Sequence, residues 1–145
     1  MSKTEDFLTQ SEEQEIVQAI VVAEKNTSGE IRVHIEEHSE KAPLDRAQEV
    51  FFELKMDGTK DRNGVLFYVG VADKKFAIIG DKGINDVVKA DFWNSTKEVV
   101  IANFKENHFK KGLVDGILKA GEQLKNYFPY QSDDVDELSN EISRG

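Results

Sequence analysis

Two acidic loops, each set beside glycines, bracket a predicted β-hairpin, and they carry the side chains best equipped for chemistry. The first runs through Asp57, Gly58, Asp61, Asn63 and Gly64; the second through Gly80, Asp81, Gly83 and Asp86. Between them lie a near-continuous apolar run from Val65 to Val71 and a second run from Phe76 to Ile79, joined by a turn at Asp73-Lys74. Antiparallel pairing returns the outer ends of a hairpin to one edge of the sheet, so both loops should meet there. Oxygen donors gathered this way suit a hard divalent cation, and calcium takes about six to eight of them. Asp61, Asn63 and Asp81 are the first candidates, with Glu30 and Asp86 in support and Asp57 in reserve. Carboxylates crowded together repel one another, so a cation would also stabilise the fold.

The donor types narrow the metal. The chain has no cysteine, which excludes disulfides, zinc–thiolate centres and thiol catalysis. His34, His38 and His108 all lie away from the two loops in sequence, so calcium, magnesium or another hard cation is favoured over zinc or copper.

These loops need elements to position them. Thr9 or Ser11, with Glu12 or Gln14 three residues on, can cap a first helix whose Ile16, Ala19, Ile20 and Ala23 share one face. Glu30 to Glu36 alternates polar and apolar residues, the pattern of a strand with one buried face, and puts His34 on the polar phase. Pro43 fits the start of a second helix, from about Leu44 to Leu54, with Ala47, Val50, Phe51 and Leu54 turned inward. The run from Val65 to Val71 is apolar enough for a strand covered on both faces. Beyond Gly83 the pattern is helical, over about Ile84 to Lys89, Asp91 to Asn107 and Lys110 to Tyr127. Strands alternating with helices, plus one hairpin, predict a three-layer α/β/α sandwich around a small mixed sheet. A helical crossover makes the first two strands parallel. One sheet edge then gathers Ser28 to Glu30, Asp57 to Asn63 and Gly80 to Gly83. The opposite edge holds Glu36, Glu37, His38 and the Asp73 turn, a weaker candidate for metal or acid–base work.

Composition bounds the remaining possibilities. With 145 residues and a net charge of -9, the chain fits a single acidic domain, which disfavours nucleic acid because phosphate contacts need Lys and Arg. No apolar run approaches the roughly 18 residues of a membrane span. The start, MSKTEDFLTQSEEQE, lacks the basic and apolar regions of a signal peptide, so a cytoplasmic monomer is expected. Residues 1–129 form the predicted domain. Tyr130 to Gly145, with Asp133, Asp134, Asp136, Glu137 and Glu141 against one Arg144, reads as a mobile acidic tail. The loop around Asp61 is not an EF-hand, because it leads into a strand and its twelfth position is Gly70 instead of Glu. Trp93 beside Phe92 reads as a packing anchor.

Three motifs in order carry a family likeness. Ser28-Gly29-Glu30-Ile31, Asp61-Arg62-Asn63-Gly64-Val65-Leu66 and Ile79-Gly80-Asp81-Lys82-Gly83-Ile84 together resemble the TPM domain, over roughly Phe7 to Phe128. That family is named from a thylakoid-lumen protein, a photosystem II repair protein and a modulator of acetylcholine receptors. The third motif departs from the simplest family pattern by one extra residue between its glycines. The resemblance implies an α/β/α fold, divalent-metal binding in loops at one sheet edge and, for some members, acid phosphatase activity. Two functions follow as expectations. One is a binding or regulatory module ordered by a cation. The other is a metal-assisted phosphatase, in which Asp61 or Asp81 holds the metal that activates water. Arg62, Lys60 and Lys82 are the cations near enough in sequence to meet a phosphate.

Overall fold

The computed structural model describes residues 7–130 and 138–145. The first helix, α1 (Gln10–Glu24), starts at a capping box: Thr9 Oγ1 accepts from the Glu12 amide at 3.1 Å, and Glu12 Oε1 accepts from the Thr9 amide at 2.9 Å. Its Ile16, Ala19, Ile20 and Ala23 are buried, as the spacing predicts. Strand β1 (Glu30–Glu36) follows, then α2 (Pro43–Glu53) with Pro43 in its first turn. The hairpin is β2 (Gly64–Gly70) and β3 (Lys75–Gly80). A short α3 (Lys82–Asn85), α4 (Asn94–Lys105) and α5 (Phe109–Lys125) complete the helices, and β4 (Ser143–Arg144) closes the chain.

The four strands form one mixed sheet in the order β3-β2-β1-β4. β1 runs parallel to β2, with Glu30 opposite Gly64, and β2 runs antiparallel to β3, with Val65 opposite Gly80. Ile31, Val33 and Ile35 of β1 and Val65, Phe67 and Val69 of β2 meet α1, α4 and α5 on one face. Leu66, Tyr68 and Ala77 meet Ala47, Val50 and Phe51 of α2 on the other. The sandwich therefore has three layers, and β2 is buried along its whole length.

Three expectations need correction. β1 was expected to have one buried face, but Glu30, His34 and Glu36 are each only 4% exposed. The second face is covered by α2 and by the end of the chain, neither of which a seven-residue alternation can reveal. The predicted tail is also not uniform: residues 138–145 add β4, parallel to β1, and Leu138 and Ile142 pack against the two apolar clusters. The part of that tail over residues 131–137 lies outside the described residues. Finally, the helices after Gly83 differ in extent. Asp81 accepts from the Lys82 amide at 2.7 Å and so starts α3 earlier than predicted, while residues 91–93 form turns ahead of α4.

Candidate functional site

Backbone pairing draws three segments to the edge where β2 begins and β3 ends. The Asp81 amide donates to the Gly64 carbonyl at 2.9 Å, and the Glu30 amide donates to the Asn63 carbonyl at 3.2 Å. Asp81 sits in this junction with its side chain 4% exposed. A buried carboxylate needs hydrogen bonds or a counter-charge. Arg62 supplies both: its Nε and Nη2 lie 2.9 and 3.1 Å from the two carboxylate oxygens. That geometry is reached because Arg62 adopts a left-handed backbone, φ 51°, which turns its side chain back toward β3. The carboxylate beside it raises the Arg62 pKa above its ordinary value.

The two loops also touch through the backbone. A β-carbon on Gly83 would fall 2.2 Å from the Asp61 carbonyl oxygen and 2.5 Å from that of Arg62. Glycine at 83 is what lets these carbonyls approach the turn after Asp81.

The five proposed cation ligands share this end of the sheet, but their side chains have different partners. Asn63 is buried; its amide donates to Thr59 Oγ1 at 3.2 Å and its Nδ2 to Ser28 Oγ at 3.3 Å. Glu30 Oε1 accepts from the Leu138 amide at 2.7 Å. Asp86, the residue that caps the end of α3, is exposed and pairs with Lys82 at 2.8 Å. Asp61 is exposed. Among the described residues, no three Asp, Glu or His side chains converge closely enough to hold a metal ion. A cage of five side chains is therefore not assembled.

Beside Asp81 opens a cleft of about 470 Å³. Arg62, Lys82 and Asn85 line its polar end, and Phe51, Phe52 and Trp93 its apolar wall. Trp93 is 8% exposed and stacks edge-on against Phe92, so it is the packing anchor expected.

The opposite sheet edge brings together two of its four candidates. His38 Nδ1 lies 2.8 Å from the Asp73 carboxylate, which also accepts from the Ser39 amide. These bonds hold the Asp73 carboxyl below its usual range, the His38 contact contributing most. Glu36 instead turns under α2, and there the sequence reading missed a buried polar group. Arg46 donates to both Glu36 oxygens, at 2.9 Å each, Tyr68 donates its hydroxyl, and His34 Nε2 lies 3.1 Å away. Burial pushes the Glu36 carboxyl up, but these donors outweigh it and bring the pKa to about 2. Burial also lowers the His34 pKa, against the opposing pull of Glu36, and raises that of Tyr68. With Glu36 ionised, His34 Nε2 carries the proton and Nδ1 accepts from the Ser143 hydroxyl at 3.0 Å. The signal was present in part: Arg32, His34 and Glu36 share one phase of β1, and Tyr68 lies opposite His34 in the parallel register.

A three-layer α/β/α domain with two interlocked loops at one sheet edge is the class these features define. The chain belongs to the TPM domain family, whose sequence model matches residues 1–123. It is similar to the NMR structure of BA42 protein from the psychrophilic bacterium Bizionia argentinensis, at 61% identity over 100% of both chains with a TM-score of 0.93. The fold also matches the N-terminal domain of a protein from P. gingivalis, at TM-score 0.69 and 14% identity over 86% of this chain and 82% of that one. A third likeness is the N-terminal domain of cg2496 protein from Corynebacterium glutamicum, at TM-score 0.62 and 10% identity over 93% and 79% of the two chains. At those identities the last two show the fold alone. None of the curated proteins matches the sequence. Among the described residues no helix is long and apolar enough to cross a membrane.

Proposed function

We propose that this chain is a divalent-cation-binding module, with calcium the ion its all-oxygen donors suit best. The site is the edge where β2 begins and β3 ends. Asp81 is the anchoring carboxylate, Asp61 and Asn63 supply donors from the facing loop, and backbone carbonyls complete the set. Glu30 and Asp86 contribute less, because the Leu138 amide and Lys82 already engage them. The observation that carries this reading is the placement of Asp81: a buried carboxylate in the lining of a cleft, beside a loop whose carbonyls Gly83 admits at close range. A cation there must displace the half-exposed Arg62 guanidinium, so binding exchanges an internal counter-charge for an external one. The exchange ties the two loops together and shapes the cleft as a regulated surface.

Calcium titration of the full chain, followed by amide NMR and melting temperature, tests this. Shifts should concentrate at residues 61–64 and 80–84, and Asp81→Asn should weaken the response at least tenfold. Unchanged affinity in both Asp61→Asn and Asp81→Asn would place the ion elsewhere.

One observation favours metal-assisted phosphatase activity as the second reading. Arg62 and Lys82 line the same cleft as Asp81, which gives a phosphate monoester two cationic contacts. Metal-dependent phosphate release that disappears in Asp81→Asn would make the enzyme reading the better one.

A further inference from the structure

The end of the chain is held on β1 by side chains that alternate between the two faces of the sheet. Ser143 lies opposite His34 and Arg144 opposite Ile35, and the Gly145 amide donates to the Ile35 carbonyl at 3.0 Å. Ile142 packs against the cluster under α1, and Arg144 forms an ion pair with Glu13 of that helix. Ser143 faces the other way, its hydroxyl 3.0 Å from His34 Nδ1. Gly145 follows on the same side, so close to the His34–Glu36 pair that a β-carbon would fall 2.8 Å from Glu36 Oε1 and 2.9 Å from His34 Nε2. Each position is therefore selective: apolar, hydroxyl, basic, then glycine. The backbone contribution is small, because β4 has 2 residues against the usual five or six or so. Side-chain fit, more than ladder length, holds this segment in place.

We propose that the outer edge of β1 is a strand-acceptor site that reads the pattern apolar–hydroxyl–basic–glycine. The chain's own Ile142-Ser143-Arg144-Gly145 fills it in competition with the same segment of a second copy. Addition of an extended segment to a sheet edge is an established mode of recognition. A segment on the same chain acts at an effective concentration on the order of millimolar, so a segment in trans gains the site when the internal one is weakened. The four residues that carry the pattern sit at the His34 to Glu36 end of β1, away from the cation site, which the segment touches through the Leu138 amide on Glu30; the inference stands whether or not calcium binds.

The test uses full-length chains and a fluorescent peptide of sequence LSNEISRG, which reproduces residues 138–145. Ser143→Asp, measured at pH 8 where the imidazole is neutral, sets a carboxylate against the lone pair of His34 Nδ1 and clears the internal occupant; Ile142→Asn does so from the other face. Both variants should bind the peptide, with anisotropy and amide shifts at Glu13, His34 and Ile35, at least tenfold more tightly than the wild-type chain. A peptide carrying Asp in place of its serine should not bind. Equal binding by wild type and variants, or equal binding of a scrambled peptide, overturns the proposal. So does absence of binding to both variants. Loss of the fold in both also overturns it, since the segment would then belong to the core and could not be exchanged.

Discussion

Arg62 grips Asp81 with two nitrogens, at 2.9 and 3.1 Å, across the junction of the two loops. A planar guanidinium matches a carboxylate in this way, and an ammonium does not. The pair is asymmetric: the Arg62 side chain is 44% exposed and that of Asp81 4%. The carboxylate is thus the fixed partner and the guanidinium the exchangeable one.

Arg62→Gln removes the internal competitor while leaving Asp81 buried. The expected result is a lower melting temperature in the absence of calcium, because the buried carboxylate loses its counter-charge. Calcium affinity should rise several-fold, and calcium should recover most of the lost melting temperature. Calorimetric titration at one ionic strength reads both effects. An affinity equal to or below wild type would mean that the ion and Arg62 do not compete.

Gly83→Ala forces the loops apart, because the new methyl would lie 2.2 Å from the Asp61 carbonyl oxygen. Backbone cannot yield as a flexible side chain can, so the cost should reach about 1–3 kcal/mol. Urea unfolding measures it. The calcium-induced shifts at residues 61–64 should shrink in the same variant.

Glu36 sets the acid limit of stability. Its folded pKa of about 2 lies below the unfolded value of 4.5, so its contribution is complete above pH 4.5 and is lost as pH falls through about 2. A shift of that size corresponds to about 3 kcal/mol. Melting temperature against pH should fall more steeply on the acid side in wild type than in Glu36→Gln, where Asp73 still contributes a smaller slope. That variant should also be less stable at pH 7, because Arg46 loses its two bonds to the buried carboxylate and keeps the more exposed Glu49 and Glu53.

His34 acts in a higher window. Its folded pKa is lowered from 6.5, so the unfolded chain takes up a proton first. Stability should fall as pH drops through 6.5 and level off once the folded imidazole is itself protonated. His34→Gln should flatten that region of the curve while retaining the Glu36 slope below it. A stability that rises on acidification through 6.5 would contradict the burial of a neutral imidazole.

Much of the frame was legible because it is local. Thr9 and Glu12 are three residues apart and need only each other to cap α1. Glu30 to Glu36 shows its strand in its own alternation, and the observed bounds of β1 coincide with it. Parallel β1 and β2 and the antiparallel hairpin follow from connection length, and they place Ser28 to Glu30, Asn63 and Asp81 at one edge. What could not be read was which groups engage each carboxylate there. The left-handed turn at Arg62 and the fit of Gly83 against the Asp61 carbonyl decide that for Asp81.

By itself, then, the sequence settled the layers, the strand directions and the family, because periodicity, caps and turn residues act over a few positions. Tertiary structure alone decided that His34 is buried, that Glu36 gathers Arg46 and Tyr68, and that Ser143 and Arg144 become a strand. The contact between His34 and Ser143 joins residues over a hundred positions apart. Two residues carry no periodic signal, and their pairing exists only where folding has already built an edge with a matching imidazole and carboxylate.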